Sequence, residues 1–138
     1  MRARRYTLIL SGINIPKNQG FSQRLRFAVA GIAHALRHEG SLRFQALALV
    51  AVLIVLAIGH LAPIWWALVV LASAGVLAAE LFNTAIEHLA DHLHPEVHPQ
   101  IRVVKDCAAA AVLLMSCGAI GMAIALAIEL ARSHHWHL

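Results

Sequence analysis

The chain has 138 residues, of which 60% are hydrophobic and only 13% charged, and its mean hydropathy is +0.72. A soluble domain is about half apolar and about a quarter charged, so this composition excludes one and indicates an integral membrane protein, with length for about three spans of about 20 residues each. The net charge is +4; aromatic residues are few and no nucleic-acid motif occurs, which excludes a nucleic-acid partner.

The basic residues are concentrated. Arg2, Arg4, Arg5, Lys17, Arg24, Arg26, Arg37 and Arg43 all precede the first apolar run. This is a positive-inside signal, and the same charges suit anionic lipid head groups or a nucleotide phosphate. Residues 1–20 hold Gly12, Pro16, Asn18 and Gly20 and read as a loose basic arm. The apolar patch Leu8 to Leu10 is too short for the core of a signal peptide, so no cleavable leader is expected.

Residues 21–138 read as one membrane domain. From Phe21 to His38 the apolar residues Leu25, Val29, Ile32, Ala33 and Leu36 recur at helical spacing among basic residues. This predicts an amphipathic helix lying on the membrane surface, with Ser22 as its N-cap. A first span is expected from about Phe44 to Ile58, followed by a tight uncharged turn, Gly59-His60-Leu61-Ala62-Pro63. A second runs from Ile64 to about His92, with Trp65 and Trp66 in an interfacial aromatic belt. Pro95 and Pro99 mark His94 to Arg102 as a loop. A third span covers about Ala108 to Leu130, and Trp136 returns to an interface. The fold class is therefore all-α, integral to the membrane, with a surface helix and three transmembrane helices. The N-terminus and the loop carrying Arg102 and Lys105 belong inside, and the uncharged turn outside. Cys107 and Cys117 are about 15 Å apart if they share a helix, too far for a disulfide, and are expected in the core.

The end of the second span carries the chemistry. Glu80, Asn83, Glu87 and Asp91 in AELFNTAIEHLAD fall within roughly 80° of one helical face. Ionisable groups beside a span indicate a functional site. Such carboxylates need neutralising, by cations or by protons. Mg²⁺ takes one or two carboxylates plus substrate phosphates, and phosphoryl transfer is mostly positioning and charge neutralisation. The stripe also suits a general base, or, with no chemistry at all, a polar cluster that fixes helix assembly.

Glu39 lies between the surface helix and the first span. It either pairs with Arg43 at i+4 or faces the stripe and completes a metal site with Glu87. The loop Pro95-Glu96-Val97-His98-Pro99, followed by Lys105-Asp106, either is solvated or holds a phosphate through the lysine. His88 and His92 are spaced as metal pairs often are, but no cysteine lies near and HExxH is absent, which disfavours zinc. No Walker A or GxGxxG pattern occurs.

The chain Glu80-Leu81-Phe82-Asn83-Thr84-Ala85-Ile86-Glu87, then Asp91, Glu96-Val97-His98 and Lys105-Asp106, with Glu39 upstream, resembles the small bacterial membrane kinases, diacylglycerol kinase and undecaprenol kinase. The resemblance covers roughly residues 21–131. It implies a homotrimer in the bacterial inner membrane, with a cytoplasmic N-terminus, that moves the γ-phosphate of ATP to a lipid alcohol with Mg²⁺. By the same resemblance Glu80 is the general base and Asn83 orients the reacting groups. Glu39 and Glu87 are metal ligands that also approach ATP. Glu96, Val97, His98, Lys105 and Asp106 contact the nucleotide, and Asp91 is a supporting residue.

This sequence departs from the family pattern at two places. Where the diacylglycerol kinases carry an arginine and a tyrosine in the surface helix, Gly20 and Phe27 stand here, with Arg24 and Arg26 nearby. The small serine after the Lys-Asp pair is Ala109. Asn83-Thr84 is the undecaprenol-kinase form. The expected product is phosphatidate from diacylglycerol, with undecaprenyl phosphate as the alternative. The rival of another class is a non-enzymatic cation-binding membrane module.

Overall fold

The computed structural model describes residues 20–96 and 98–135; the arm before Gly20, Val97 and Trp136 lie outside the described residues. Among the described residues four α-helices follow one another: α1 Phe21–His38, α2 Gly40–Ile58, α3 Pro63–Leu93 and α4 Pro99–His135. The last three are long and apolar enough to cross a membrane.

The described residues divide into two compact units, one ending at Gly31 and the other beginning at Ile32. In the first, the Gly20 carbonyl accepts from the N–H groups of Gln23 and Arg24 at 3.0 and 3.2 Å. Gly20 therefore stands at the helix entrance, and Ser22 falls inside the first turn instead of capping it. Phe21, Leu25, Phe27 and Val29 are exposed, and the Arg26 guanidinium lies 5.7 Å from the Phe27 ring centroid.

In the second unit a single residue ends α1. Glu39 takes extended backbone angles, φ −103° and ψ 118°. Its N–H still donates to the Ala35 carbonyl at 2.8 Å. Arg43 does not pair with Glu39 among the described residues; its Nη1 donates to the Arg37 carbonyl at 3.3 Å, as cations do at helix C-termini.

Between α2 and α3 the chain reverses at His60, whose φ of 47° lies in the left-handed region, where histidine is more tolerated than most residues. Pro63 then opens α3, its fixed φ suiting a first helical position. Gly59 is required by packing and not by its own angles. A Cβ there would stand 2.9 Å from Leu130 Cδ2 and 3.1 Å from the Val55 carbonyl oxygen. The apolar centre lies at this end, where Leu56, Val69 and Leu126 are buried and Trp65, Met122 and Leu130 pack against them. Trp65 is thus partly buried in protein, and Trp66 is the exposed member of the pair.

Helix α3 packs against both neighbours, most extensively against α4, while the backbones of α2 and α4 stand apart. Gly75 brings α3 close to α4, for a Cβ there would collide with Met115 Cε. The segment expected as a loop to Arg102 is shorter: α4 resumes at Pro99. A proline in the first turn forfeits no intrahelical hydrogen bond, so it starts this helix. Cys107 and Cys117 are both free and exposed, not buried as expected. Along a membrane helix, apolar side chains face lipid as readily as protein, and Phe44, Leu71 and Leu114 are all more than 70% exposed on this single chain.

Candidate active site

Glu80 lies 17 residues beyond Pro63 on α3, about 25 Å along the helix axis at 1.5 Å per residue. A hydrocarbon core is about 30 Å thick, so if the Pro63 turn marks one face of the bilayer, Glu80 reaches the border of the other. The carboxylate is buried, at 6% exposure. A buried charge without partners is strongly destabilising, and α2 supplies two. Gln45 Nε2 donates to Glu80 Oε1 at 2.6 Å, and Ser41 Oγ donates to Oε2 at 3.1 Å. Ser41 and Gln45 are four residues apart and share a helical face. Neither was singled out by the sequence; the available signal was a lone amide inside an apolar stretch.

One turn further along α3, Asn83 Nδ2 donates to Glu87 Oε1 at 2.9 Å. Two amide oxygens here, Gln45 Oε1 and Asn83 Oδ1, are buried with no hydrogen-bond partner among the described residues. An unsatisfied buried acceptor costs about 1–3 kcal/mol. The amides cannot be flipped to relieve this, because two acceptors would then face each other across each short contact.

Asp91 lies about 16 Å beyond Glu80 along the axis and is exposed. Its Oδ1 pairs with Lys105 Nζ, tying α3 to the start of α4. Around this pair opens a cleft lined in part by His94, Glu96, His98, Arg102 and Asp106. Arg102, which the sequence marks for topology and not for the site, meets Asp106 in an exposed pair at 3.8 Å, a contact worth little by itself. His98 Nδ1 accepts from the Gln100 N–H at 3.2 Å. The stripe is therefore two structures: a buried carboxylate held from α2, and an exposed ion pair at a polar cleft. Asn83 and Glu87 lie between them. Glu39 sits in the α1–α2 break.

On the apolar side, a groove runs between α2, α3 and α4. Phe44, Val52, Val76, Leu77 and Ile120 line it, and Gln45 is among its few polar groups. It exists because α2 and α4 do not close on each other.

Among the described residues no three His, Cys, Asp or Glu side chains converge on a metal position. The histidines instead stack, His34 on His38 with ring centroids at 4.2 Å and His34 edge-on to His88 at 5.8 Å. Glu87 offers a carboxylate, and its hydrogen-bond partner Asn83 carries a buried amide oxygen with no partner among the described residues. That chemistry fits Mg²⁺, which needs few protein ligands when phosphates complete its shell.

Residues 26–127 match the sequence model of the prokaryotic diacylglycerol kinase family. The chain belongs to that family. It is 39% identical over 86 residues to the undecaprenol kinase of Bacillus subtilis (strain 168), a match covering 62% of this chain and 70% of that protein. It is 35% identical over 96 residues to the diacylglycerol kinase of Synechocystis sp. (strain ATCC 27184 / PCC 6803 / Kazusa), covering 69% of this chain and 55% of that protein. The chain thus spans only about half the length of the second relative. As a member of a kinase family the chain is a lipid kinase, which sets aside the non-enzymatic cation module. All the candidate site residues, Glu39 to Asp106, fall inside the matched range.

Proposed function

We propose that this protein transfers the γ-phosphate of ATP to the hydroxyl of diacylglycerol, giving phosphatidate, with Glu80 as general base. The observation that carries the reading is the placement of Glu80: a buried carboxylate, held by two donors, one turn beyond the groove residues Val76 and Leu77. An apolar groove beside a carboxylate suits an acceptor with long hydrocarbon chains and one polar end.

In this mechanism Glu80 takes the proton from the lipid hydroxyl as its oxygen attacks the γ-phosphorus. The bond from that phosphorus to the ADP oxygen breaks, and ADP leaves. Each Glu80 oxygen already accepts one hydrogen bond and keeps lone-pair capacity for the incoming hydroxyl. Glu39 and Glu87, with the Asn83 amide oxygen, would hold Mg²⁺. Bound there, the ion would neutralise charge on the transferring phosphoryl group. Glu96, Val97, His98, Lys105 and Asp106 hold the nucleotide, and Asp91 keeps Lys105 in place through their ion pair.

The active assembly is a homotrimer in the bacterial inner membrane with the N-terminus cytoplasmic. The many exposed apolar side chains and the basic N-terminal region support this arrangement. Phosphorylation of undecaprenol is the second reading, favoured by Asn83-Thr84 and by the match to the Bacillus subtilis relative.

The test is direct. Purified protein in mixed micelles, given Mg-ATP and either acceptor, should form the phosphorylated lipid, with diacylglycerol preferred in competition. Preference for undecaprenol would establish the second reading. No product from either acceptor, with folded protein, would refute both.

A further inference from the structure

We propose that Gln45, assisted by Ser41, is a positioning residue for the transfer step and acts through Glu80. The inference rests on the reading of Glu80 as the base. It starts from what the two α2 side chains do to that carboxylate. Gln45 Nε2 is 2.6 Å from Oε1 and Ser41 Oγ is 3.1 Å from Oε2. The terminal torsion of a glutamate is broad and weakly preferred, so a carboxylate on α3 alone would rotate. One donor on each oxygen stops that rotation and leaves lone-pair capacity on both oxygens. A base must present its lone pair within hydrogen-bond reach of the proton it takes, and this clamp presents it in one orientation.

Two further observations separate this role from a simple inter-helix tie. First, Gln45 Oε1 is buried and has no partner among the described residues. A side chain kept only to pin α2 to α3 would better be one with no orphaned acceptor, since that oxygen weakens the fold. Second, Gln45 lines the apolar groove between α2, α3 and α4. It therefore links the proposed path of the acceptor's chains to the carboxylate that meets the hydroxyl. Nothing in its position reaches the cleft around Lys105, so its removal should leave nucleotide binding untouched.

The full-length protein in mixed micelles with Mg-ATP, dioctanoylglycerol or undecaprenol provides the test, with kcat and the KM for each substrate measured separately. Gln45→Leu keeps the approximate volume and removes the donor; it should lower kcat about 100-fold, the scale of a small misplacement of a reacting group, with KM for ATP unchanged. Gln45→His restores an N–H donor and should recover much of that loss. Ser41→Ala should lower kcat by a smaller factor. In the double variant Glu80→Gln with Gln45→Leu, the effect of losing Gln45 should vanish, because residues acting through one group are not additive. Wild-type kcat in Gln45→Leu would overturn the proposal. So would an equal loss of kcat and ATP affinity, or a Gln45 effect that persists undiminished when Glu80 is already Gln. If Gln45→Leu does not fold, Gln45→His against Ser41→Ala carries the same comparison. Full turnover in Glu80→Gln would refute the base itself, whereas an inactive Glu80→Gln beside a fully active Gln45→Leu would refute only the positioning role.

Discussion

Asn83 donates its side-chain N–H to Glu87 Oε1 across 2.9 Å, one helical turn along α3. The bond fixes the Glu87 carboxylate and leaves Asn83 Oδ1 buried beside it, without a partner among the described residues. On the proposed reading, this amide oxygen and this carboxylate would serve a hard cation that arrives with phosphate ligands.

If this pair holds the metal, Glu87→Gln should weaken the apparent Mg²⁺ dependence. Asn83→Ala should raise the Mg²⁺ needed for half-maximal rate and lower activity by about 10–100-fold, the usual effect of removing a group that orients a metal ligand. Titration of turnover with Mg²⁺ at saturating ATP and acceptor checks both. Unchanged metal dependence in Glu87→Gln would count against its role as a ligand.

The Lys105–Asp91 ion pair leads to a different expectation. Lys105→Ala should raise KM for ATP with little change in KM for the lipid. Asp91→Ala should produce a weaker version of the same change, and the double variant should be no worse than Lys105→Ala alone. Initial rates over a range of ATP concentrations measure this. Independent, additive effects would mean that Asp91 does not act through Lys105.

A third expectation concerns stability. At Gly59 a Cβ would meet the Val55 carbonyl at 3.1 Å as well as Leu130 Cδ2 at 2.9 Å, and a backbone atom cannot rotate away. Gly59→Ala should therefore lower stability by about 1–3 kcal/mol, the usual cost of overpacking. Gly75→Ala should cost less, because the atom it meets is the end of the flexible Met115 side chain. Thermal unfolding in a single detergent compares the two. A milder effect at Gly59 than at Gly75 would contradict this packing.

Much of the helical layout was legible because period and composition carry it. Phe21 to His38 is helical throughout, and the uncharged turn separates two apolar helices as expected. Sequence and structure part where a residue type has two uses. Pro99 read as a loop residue and instead begins α4, because proline both breaks helices and starts them. Cysteine read as a core residue, yet Cys107 and Cys117 are exposed; in a membrane, apolarity does not say which face of a helix is buried.

At the site, helical spacing placed Glu80, Asn83, Glu87 and Asp91 on one face, and that is all spacing can do. It did not separate a buried Glu80 from an exposed Asp91. Nor did it find Ser41 and Gln45, which lie 39 and 35 residues from Glu80 in sequence. Their contact with Glu80 comes from how α2 packs on α3, a tertiary fact with no periodic signature.

The central claim is that Glu80 is the base at which the lipid hydroxyl gives up its proton. Initial rates of lipid phosphorylation by Glu80→Gln against wild type, in the same micelles and with ATP affinity measured in parallel, test it most directly. Turnover should fall by about 10²–10⁴-fold, the range of general-base catalysis, with the protein folded and ATP affinity preserved. Turnover near the wild-type rate would contradict the account.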